Sequence, residues 1–345
     1  MTHSLFFQRC GLAVLLLLAG VPALAQTGAS QLVALATEVE RQEPRSLSAW
    51  LLRMHEASRQ RTYIGTFVVS SGDQLATARI WHVCDGRQQM ERVESLSGPA
   101  RATFRHNDRV VTFTPDNKLV VSERRESLGL FPGLLKSGQA AALEQFYTLR
   151  QGGLERVAGF EAEVLQLEPR DRWRFAYRIW SEKNTGLVLK LQTLDVEGRV
   201  LEQVAFTELQ LDAPVRMDKL AQMMARTEGY RVETPQRVPT TAQAEGWALK
   251  APVPGFESMS SQRRELPGAQ HSVQWVFSDG LASVSLFIEA YDRRRHGPQG
   301  LLSMGATQVL AQRLNDRRGD WWLTAVGEVP AKTLQAFAQG LERTK

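Results

Sequence analysis

The stretch Trp173–Leu211, WRFAYRIWSEKNTGLVLKLQTLDVEGRVLEQVAFTELQL, decides the fold of this chain. Apolar and polar side chains alternate through three runs, and side chains two apart on a strand project from the same face. Asn184-Thr185-Gly186 and Asp195-Val196-Glu197-Gly198 separate the runs with the residue types that tight turns require. Neither connection is long enough for a parallel crossover, so the stretch predicts an antiparallel meander.

The same period of two runs upstream. TYIGTFVVSSGDQLATARIWHVCDG predicts strands at Tyr63–Val69 and Ala78–Cys84 around a turn at Gly72-Asp73. QQMERVES, ARATFRHND, RVVTFTPD and KLVVSERRE add further short strands. Ahead of them, SLSAWLLRMHEASRQ sets Leu47, Leu51, Met54 and Ser58 along one helical stripe, with Ser46 or Ser48 as N-cap. SLGLFPGLLKSGQAAALEQFYTLRQGG interrupts the sheet with an apolar segment around Pro132-Gly133, after which Ser137 is expected to cap a helix reaching about Arg150. EAEVLQLEP then resumes the strands.

Beyond Leu211 the periodicity dissolves apart from a short possible helix, which predicts a partly mobile linker over 212–246. A smaller domain is expected from Trp247. In it HSVQWVFSDGLASVSLFIEAY reads as a hairpin with Asp279-Gly280 in a type I′ turn, both residues at positive φ. ATQVLAQRL and WWLTAVGEV supply more strands, and Pro330 starts a last helix with Leu334, Phe337 and Leu341 on one face. The expected division is therefore a leader at 1–25, an N-terminal segment at 26–45, a large domain at 46–211, the linker, and a small domain at 247–345.

The leader follows from Arg9, the apolar run Gly11–Gly20 and the small-x-small site Ala23-Leu24-Ala25, the pattern of a secretory signal peptide. Cys10 precedes the leucines, so a lipoprotein anchor is not expected, and no later segment has the roughly 18 apolar residues of a membrane helix. The mature chain is expected to be exported and soluble. One arginine and no acid leave with the leader, so the formal charge of +5 falls by one. That mild excess suggests anionic headgroups or an acidic protein partner ahead of nucleic acid. Cys84 alone remains, so no internal disulfide forms; between Trp81 and Val83 it reads as buried and inert.

Chemistry-bearing motifs are scarce. His82 and Cys84 share a strand face, but nothing nearby completes the three or four ligands of a zinc site, so no metal is expected. No G-x-S-x-G elbow and no glycine-rich phosphate loop occurs, so neither enzyme activity nor a cofactor is expected. What remains is surface. Tyr63, Gly65, Phe67 and Val69 share one strand side, and Trp173, Phe175, Tyr177 and Ile179 share another. They read first as packed core, and alternatively as the wall of a concave sheet able to hold an acyl chain. Basic clusters at Arg263-Arg264, Arg293-Arg294-Arg295-His296 and Arg317-Arg318, with Trp275, Phe277 and Tyr291 near them in sequence, offer an anion or acidic-peptide site.

Taken in order, the helix before Y-x-G-x-F, the LFPGLL segment, YRIWSEKNTGLVLKLQTLDVEGRVLEQVAF, PGFESMSSQRRELP, SDGLASVSLFIEA and GEVPAKT make the chain similar to the RseB/MucB family. The resemblance runs from about Ser46 to Leu341. It implies an α+β protein: an unclosed antiparallel barrel with helices, like the lipoprotein carriers LolA and LolB, plus a smaller mixed antiparallel-sheet domain. It further implies a periplasmic regulator that binds the periplasmic part of a membrane-spanning anti-sigma factor of the RseA/MucA type, shields it from proteolysis and so keeps an envelope-stress sigma factor inhibited. Lipid or lipopolysaccharide is the expected signal. On that basis Tyr63, Phe67, Phe175, Tyr177 and Ile179 are expected to line the lipid cavity and Phe131, Leu134 and Leu135 to gate it. Arg263, Arg264, Tyr291, Arg293, Arg294 and Arg295 are expected to meet the partner, and a homodimer stays open. The rival expectation is a periplasmic lipid or lipoprotein carrier, which would need only the large domain.

Overall fold

The computed structural model describes residues 45–124, 140–266, 270–316 and 319–344. The expected leader, the gate residues Phe131, Leu134 and Leu135, the Ser137 cap and Arg317-Arg318 lie outside the described residues.

Helix α1 (Leu47–Gln60) begins at Ser46, whose Oγ accepts from the Ala49 N–H at 3.2 Å. Leu47, Trp50, Leu51, Met54 and Ala57 recur at three- and four-residue spacing and are all buried, which gives the helix a single apolar face. It ends where Arg61 turns to extended backbone. Replacing Ser46 with alanine leaves that N–H without its cap, an expected loss of about 1 kcal/mol measurable by urea unfolding.

Hairpins then carry the chain through β1 (Tyr63–Ser71), β2 (Gln74–Cys84), β3 (Gln89–Ser95), β4 (Ala102–His106), β5 (Arg109–Thr114) and β6 (Leu119–Arg124). After the short α2 (Ala140–Leu143), a second meander comprises β7 (Tyr147–Val157), β8 (Phe160–Pro169), β9 (Ala176–Glu182), β10 (Val188–Leu194) and β11 (Val200–Leu211). The stretch Trp173–Leu211 supplies the last three, turning at Gly186 and Gly198, both at positive φ. β11 returns to pair with β1, Tyr63 opposite Leu211, so the two meanders make one sheet. After β11 come α3 (Met217–Ala225), β12 (Arg231–Glu233) and β13 (Arg237–Pro239). β12 adds to β6, and the twelve-stranded sheet ends at β12 on one side and β7 on the other without closing.

This sheet is buried on both faces at different ends. Ile80 joins Tyr63, Phe67, Tyr177, Ile179 and the apolar face of α1 in the main core. Its strand neighbours Trp81 and Val83 point the other way, where Leu220 and Met224 of α3 cover Met90, Phe104, Val111, Phe113 and Val120.

The small unit contains β14 (Trp247–Leu249), β15 (Glu257–Leu266), β16 (Gln270–Ser278), β17 (Ser283–Ala290), β18 (Gly300–Met304), β19 (Thr307–Asp316), β20 (Gly319–Gly327), α4 (Ala331–Gly340) and β21 (Leu341–Arg343). Its sheet runs in the order β13-β15-β16-β17-β20-β19-β18, all antiparallel. Leu334 and Phe337 of α4 pack on Phe277, Leu286, Leu323 and Ala325 over one face of it. The architecture is thus α+β: a large unclosed sheet with helices, and a separate, smaller antiparallel sheet.

Several expectations need correction. The helix expected to reach Arg150 stops at Leu143, and Tyr147 already pairs with Pro169; strand pairing has overridden the local helix preference of the alanine run. The interval 212–246 contains α3, the short helix its sequence allowed, which covers the sheet, and β12 pairs in parallel with β6, an exception to the antiparallel expectation. The hairpin after β16 is a four-residue loop with positive φ at Gly280 and not at Asp279. It is built on the Asp279 side chain, which accepts from the N–H groups of Leu281 (2.9 Å) and Ala282 (2.7 Å). Cys84 ends β2 half-buried at a turn, with its Sγ taking the Gly86 N–H. Trp173 precedes β9 and packs on the small core, while Leu341 leaves α4 and pairs in β21. Among the described residues no helix is long and apolar enough to cross a membrane.

Candidate functional site

The lipid-wall residues are core. Tyr63, Phe67, Tyr177 and Ile179 are sealed beneath α1, and Phe175 is buried just ahead of β9. Burial pushes the phenols of Tyr63, Tyr147 and Tyr177 above their ordinary range, so they stay neutral at any physiological pH. The residues expected to wall a lipid cavity are thus buried, four of them in the core that includes the apolar stripe of α1.

His82 is buried between strands, stacked on Tyr63 with ring centroids 5.0 Å apart and its Nδ1 2.6 Å from the Arg61 carbonyl. Its hydrogen bond and stacking are those of a core histidine. Among the described residues no group of three or more His, Cys, Asp or Glu side chains is placed to hold a metal ion.

An open groove of about 1270 Å³ lies between the two sheets. One wall is the end of the large sheet, with Arg109 on β5 and Ser122, Glu123 and Arg124 on β6. The other is the uncovered face of the small sheet: Ser260, Gln262 and Arg264 of β15, Gln274, Val276 and Ser278 of β16, and Ser285 and Phe287 of β17. Strand alternation explains this set. Trp275 and Phe277 point to the α4 side, so the residues between them face the groove. Thr234 to Gln236, between the two sheets in sequence, and Arg237 at the start of β13 add to the lining.

Four arginines and one glutamate supply the formal charge of that lining. Arg237 and Glu123 form an ion pair across the two walls. Arg109 and Arg124 sit directly opposite each other in the β5–β6 ladder. Like charges in that position repel, so a further anion at the lip of the groove would be favoured there. Arg124 is largely exposed, with Asp108 at 3.8 Å. The volume exceeds that of ordinary small-molecule pockets, and the walls interleave hydroxyl, amide and guanidinium groups with apolar Pro235, Met259, Val276, Leu281 and Phe287. Such a surface suits an extended acidic polypeptide better than a compact apolar ligand.

Alternation also separates the arginines that the sequence placed together. Arg264 enters the groove, while Arg263 faces away, 4.0 Å from Glu245. Arg293 and Arg294 are exposed on the loop after β17, and Arg295 pairs with Glu289 at 2.9 Å. That loop is pinned by His296, stacked on Trp322 at 4.9 Å and on Tyr291 at 5.6 Å, with its Nε2 3.1 Å from Glu289. The three loop arginines do not line the groove; they flank the end of a strand that does. Sequence reasoning missed Arg109, Arg124 and Arg237. The available signal was a cation in each of two strands joined by a tight turn, and Arg237 between Pro235 and Pro239.

Comparison with known proteins agrees with this architecture. Residues 46–224 match the MucB/RseB N-terminal domain and residues 241–342 the MucB/RseB C-terminal domain. The sigma factor AlgU regulatory protein MucB of Pseudomonas aeruginosa is 32% identical over 297 residues, covering 84% of this chain and 89% of that protein. The sigma-E factor regulatory protein RseB of Salmonella typhimurium is 25% identical over 305 residues, covering 85% and 90%. Among solved structures, the Pseudomonas aeruginosa MucA/MucB complex superposes with a TM-score of 0.68 at 29% identity, covering 87% of this chain and 99% of that one. With both domain matches in order and a relative at this identity, the chain belongs to the MucB/RseB family.

Proposed function

We propose that this protein is a non-enzymatic periplasmic regulator that holds the periplasmic segment of a MucA-type anti-sigma factor in the groove between its two sheets. The cationic groove is the observation that carries the reading: its lip sets Arg109 opposite Arg124, and Arg264 enters from the facing wall. A relative solved together with MucA supplies the class of partner. A segment lying in the groove would be shielded on both sides by folded sheet, which makes protection from proteolysis a consequence of binding. Sigma-factor inhibition then lasts as long as the complex does.

Lipid or lipopolysaccharide acts in this reading as the releasing signal. It works by favouring a state with lower partner affinity, since a ligand shifts an equilibrium only by its differential affinity for the two states. Isothermal titration of the mature chain with the anti-sigma periplasmic segment from the same genome, with and without lipopolysaccharide, tests both steps. Saturable binding that lipopolysaccharide weakens, with slower digestion of the bound segment by an added protease, is the expected result. Absence of binding in either condition sinks the regulator. Binding of lipopolysaccharide alone would leave the carrier reading in its place.

A further inference from the structure

Besides the Arg237–Glu123 pair, a fully buried side chain ties the two sheets together. Arg174, just before β9, is fully buried. Its Nε donates to Asp279 Oδ2 at 2.6 Å, its Nη2 to the Pro254 carbonyl at 2.7 Å, and its Nη1 to Asp171 Oδ2. The guanidinium lies over Phe146, on the margin of the large core, and over Phe256 of the small core, at 4.2 and 5.0 Å. Asp279 has no exposed side-chain surface either. Its Oδ1 holds the loop Asp279–Ala282 in shape, and its Oδ2 takes Arg174 and, at 3.5 Å, the Tyr147 hydroxyl.

That loop has two sides. Leu281 packs against the main core of the large sheet, while Ser278, Gly280, Leu281 and Ser283 line the groove. A buried ion pair is a poor device for stability, because desolvating both charges cancels much of their attraction, and an apolar pair of similar volume often does as well. Its geometry is what an apolar pair could not reproduce. The planar guanidinium meets acceptors from both units at fixed angles and so sets the position of one against the other.

We propose that Arg174 and Asp279 are positioning residues for partner binding: by keying the Asp279–Ala282 loop onto the large sheet they fix the groove in its binding shape, and releasing them withdraws Leu281 from the core. The main core and the groove are then coupled through the Asp279–Ala282 loop. Whatever displaces Leu281 from the core also reshapes the groove. The affinity part of this inference rests on the function proposed above; the part concerning shape does not.

The test uses the full mature chain with Cys84→Ser, Leu96→Cys and Leu302→Cys, spin-labelled at the last two positions, which are 53% and 57% exposed, in the turn after β3 of the large sheet and on β18 of the small one. Into it go Asp279→Asn, which keeps the loop acceptor but turns an amide donor toward Arg174, and the milder Arg174→Lys, which keeps the charge and loses the fork. The expected result is a single narrow distance in the parent, a broadened or lengthened one in both variants, and at least tenfold weaker binding of the anti-sigma segment. Binding of 1-anilinonaphthalene-8-sulfonate is expected to rise as Leu281 leaves the core. Unchanged distances in either folded variant overturn the proposal, as does wild-type affinity where the distances have changed. If the parent itself binds no segment, the function proposed above fails and the distances alone decide this inference.

Discussion

Reversing one arginine on each wall of the groove, R109E/R264E, is expected to weaken binding of the anti-sigma segment by about a hundredfold at low ionic strength. Arg109 belongs to the large sheet and Arg264 to the small one, and both line the groove. Each reversal removes an attraction and adds a repulsion of roughly 1 to 1.5 kcal/mol for partly screened charges, so the pair comes to about 2 to 3 kcal/mol. Charges that face open solvent are screened over a Debye length of about 8 Å at physiological salt, so the loss should shrink as salt rises. Most of the change should appear in the association rate, because charges on the lips steer encounter before contact is made. Arg263→Glu is the control. It stands next in sequence but faces Glu245 on the other side of the sheet, so its reversal should cost little affinity. Equal losses for Arg263→Glu and Arg264→Glu, measured by titration at two salt concentrations, would count against the groove.

That control marks where the sequence stopped being informative. Alternation along Trp173–Leu211 was enough for three strands, their turns and the antiparallel order, because each of those is set by residues within a few positions. The register that makes β11 return to β1 is not local: it joins Tyr63 to Leu211, and no pattern within either strand states it. The grouping of the arginines meets the same limit. Adjacent cations look like one patch in a sequence, yet neighbours on a strand face opposite directions, and the groove collects Arg109, Arg124, Arg237 and Arg264 from four separate strands. The openness of the apolar face is hidden from the sequence for a different reason. Tyr63 and Phe67 were correctly placed on one side of their strand, but whether that side is open or filled depends on how α1 lies on it. Arg174 sits inside the quoted stretch itself. Nothing in its neighbours reveals that it crosses to Asp279, 105 positions away.

The seat of Arg174 gives the second large effect: Gly255→Ala is expected to cost about 4 kcal/mol of folding free energy and to weaken partner binding with it. Gly255 holds φ at +77°, where a side chain costs about 1 kcal/mol. A Cβ there would overlap Arg174 Nη2 and come within 2.6 Å of the Phe146 ring. Neither neighbour has room to retreat, since Nη2 is held by the Pro254 carbonyl and Phe146 stacks on the same guanidinium. Moving the guanidinium would part it from Asp279 and leave a buried carboxylate without its main counter-charge, which costs about 3 to 5 kcal/mol when the break is complete. The estimate of about 4 kcal/mol takes the lower end of that range together with the backbone strain. Gly229→Ala separates strain from overlap, because Gly229 has a similar φ of +81° and open space where its Cβ would go. Urea unfolding of the two variants beside wild type should show a loss of about 1 kcal/mol at Gly229 and several times that at Gly255. Similar losses at both positions would mean that Arg174 yields freely to the methyl group, and that the junction between the two sheets is looser than its hydrogen bonds imply.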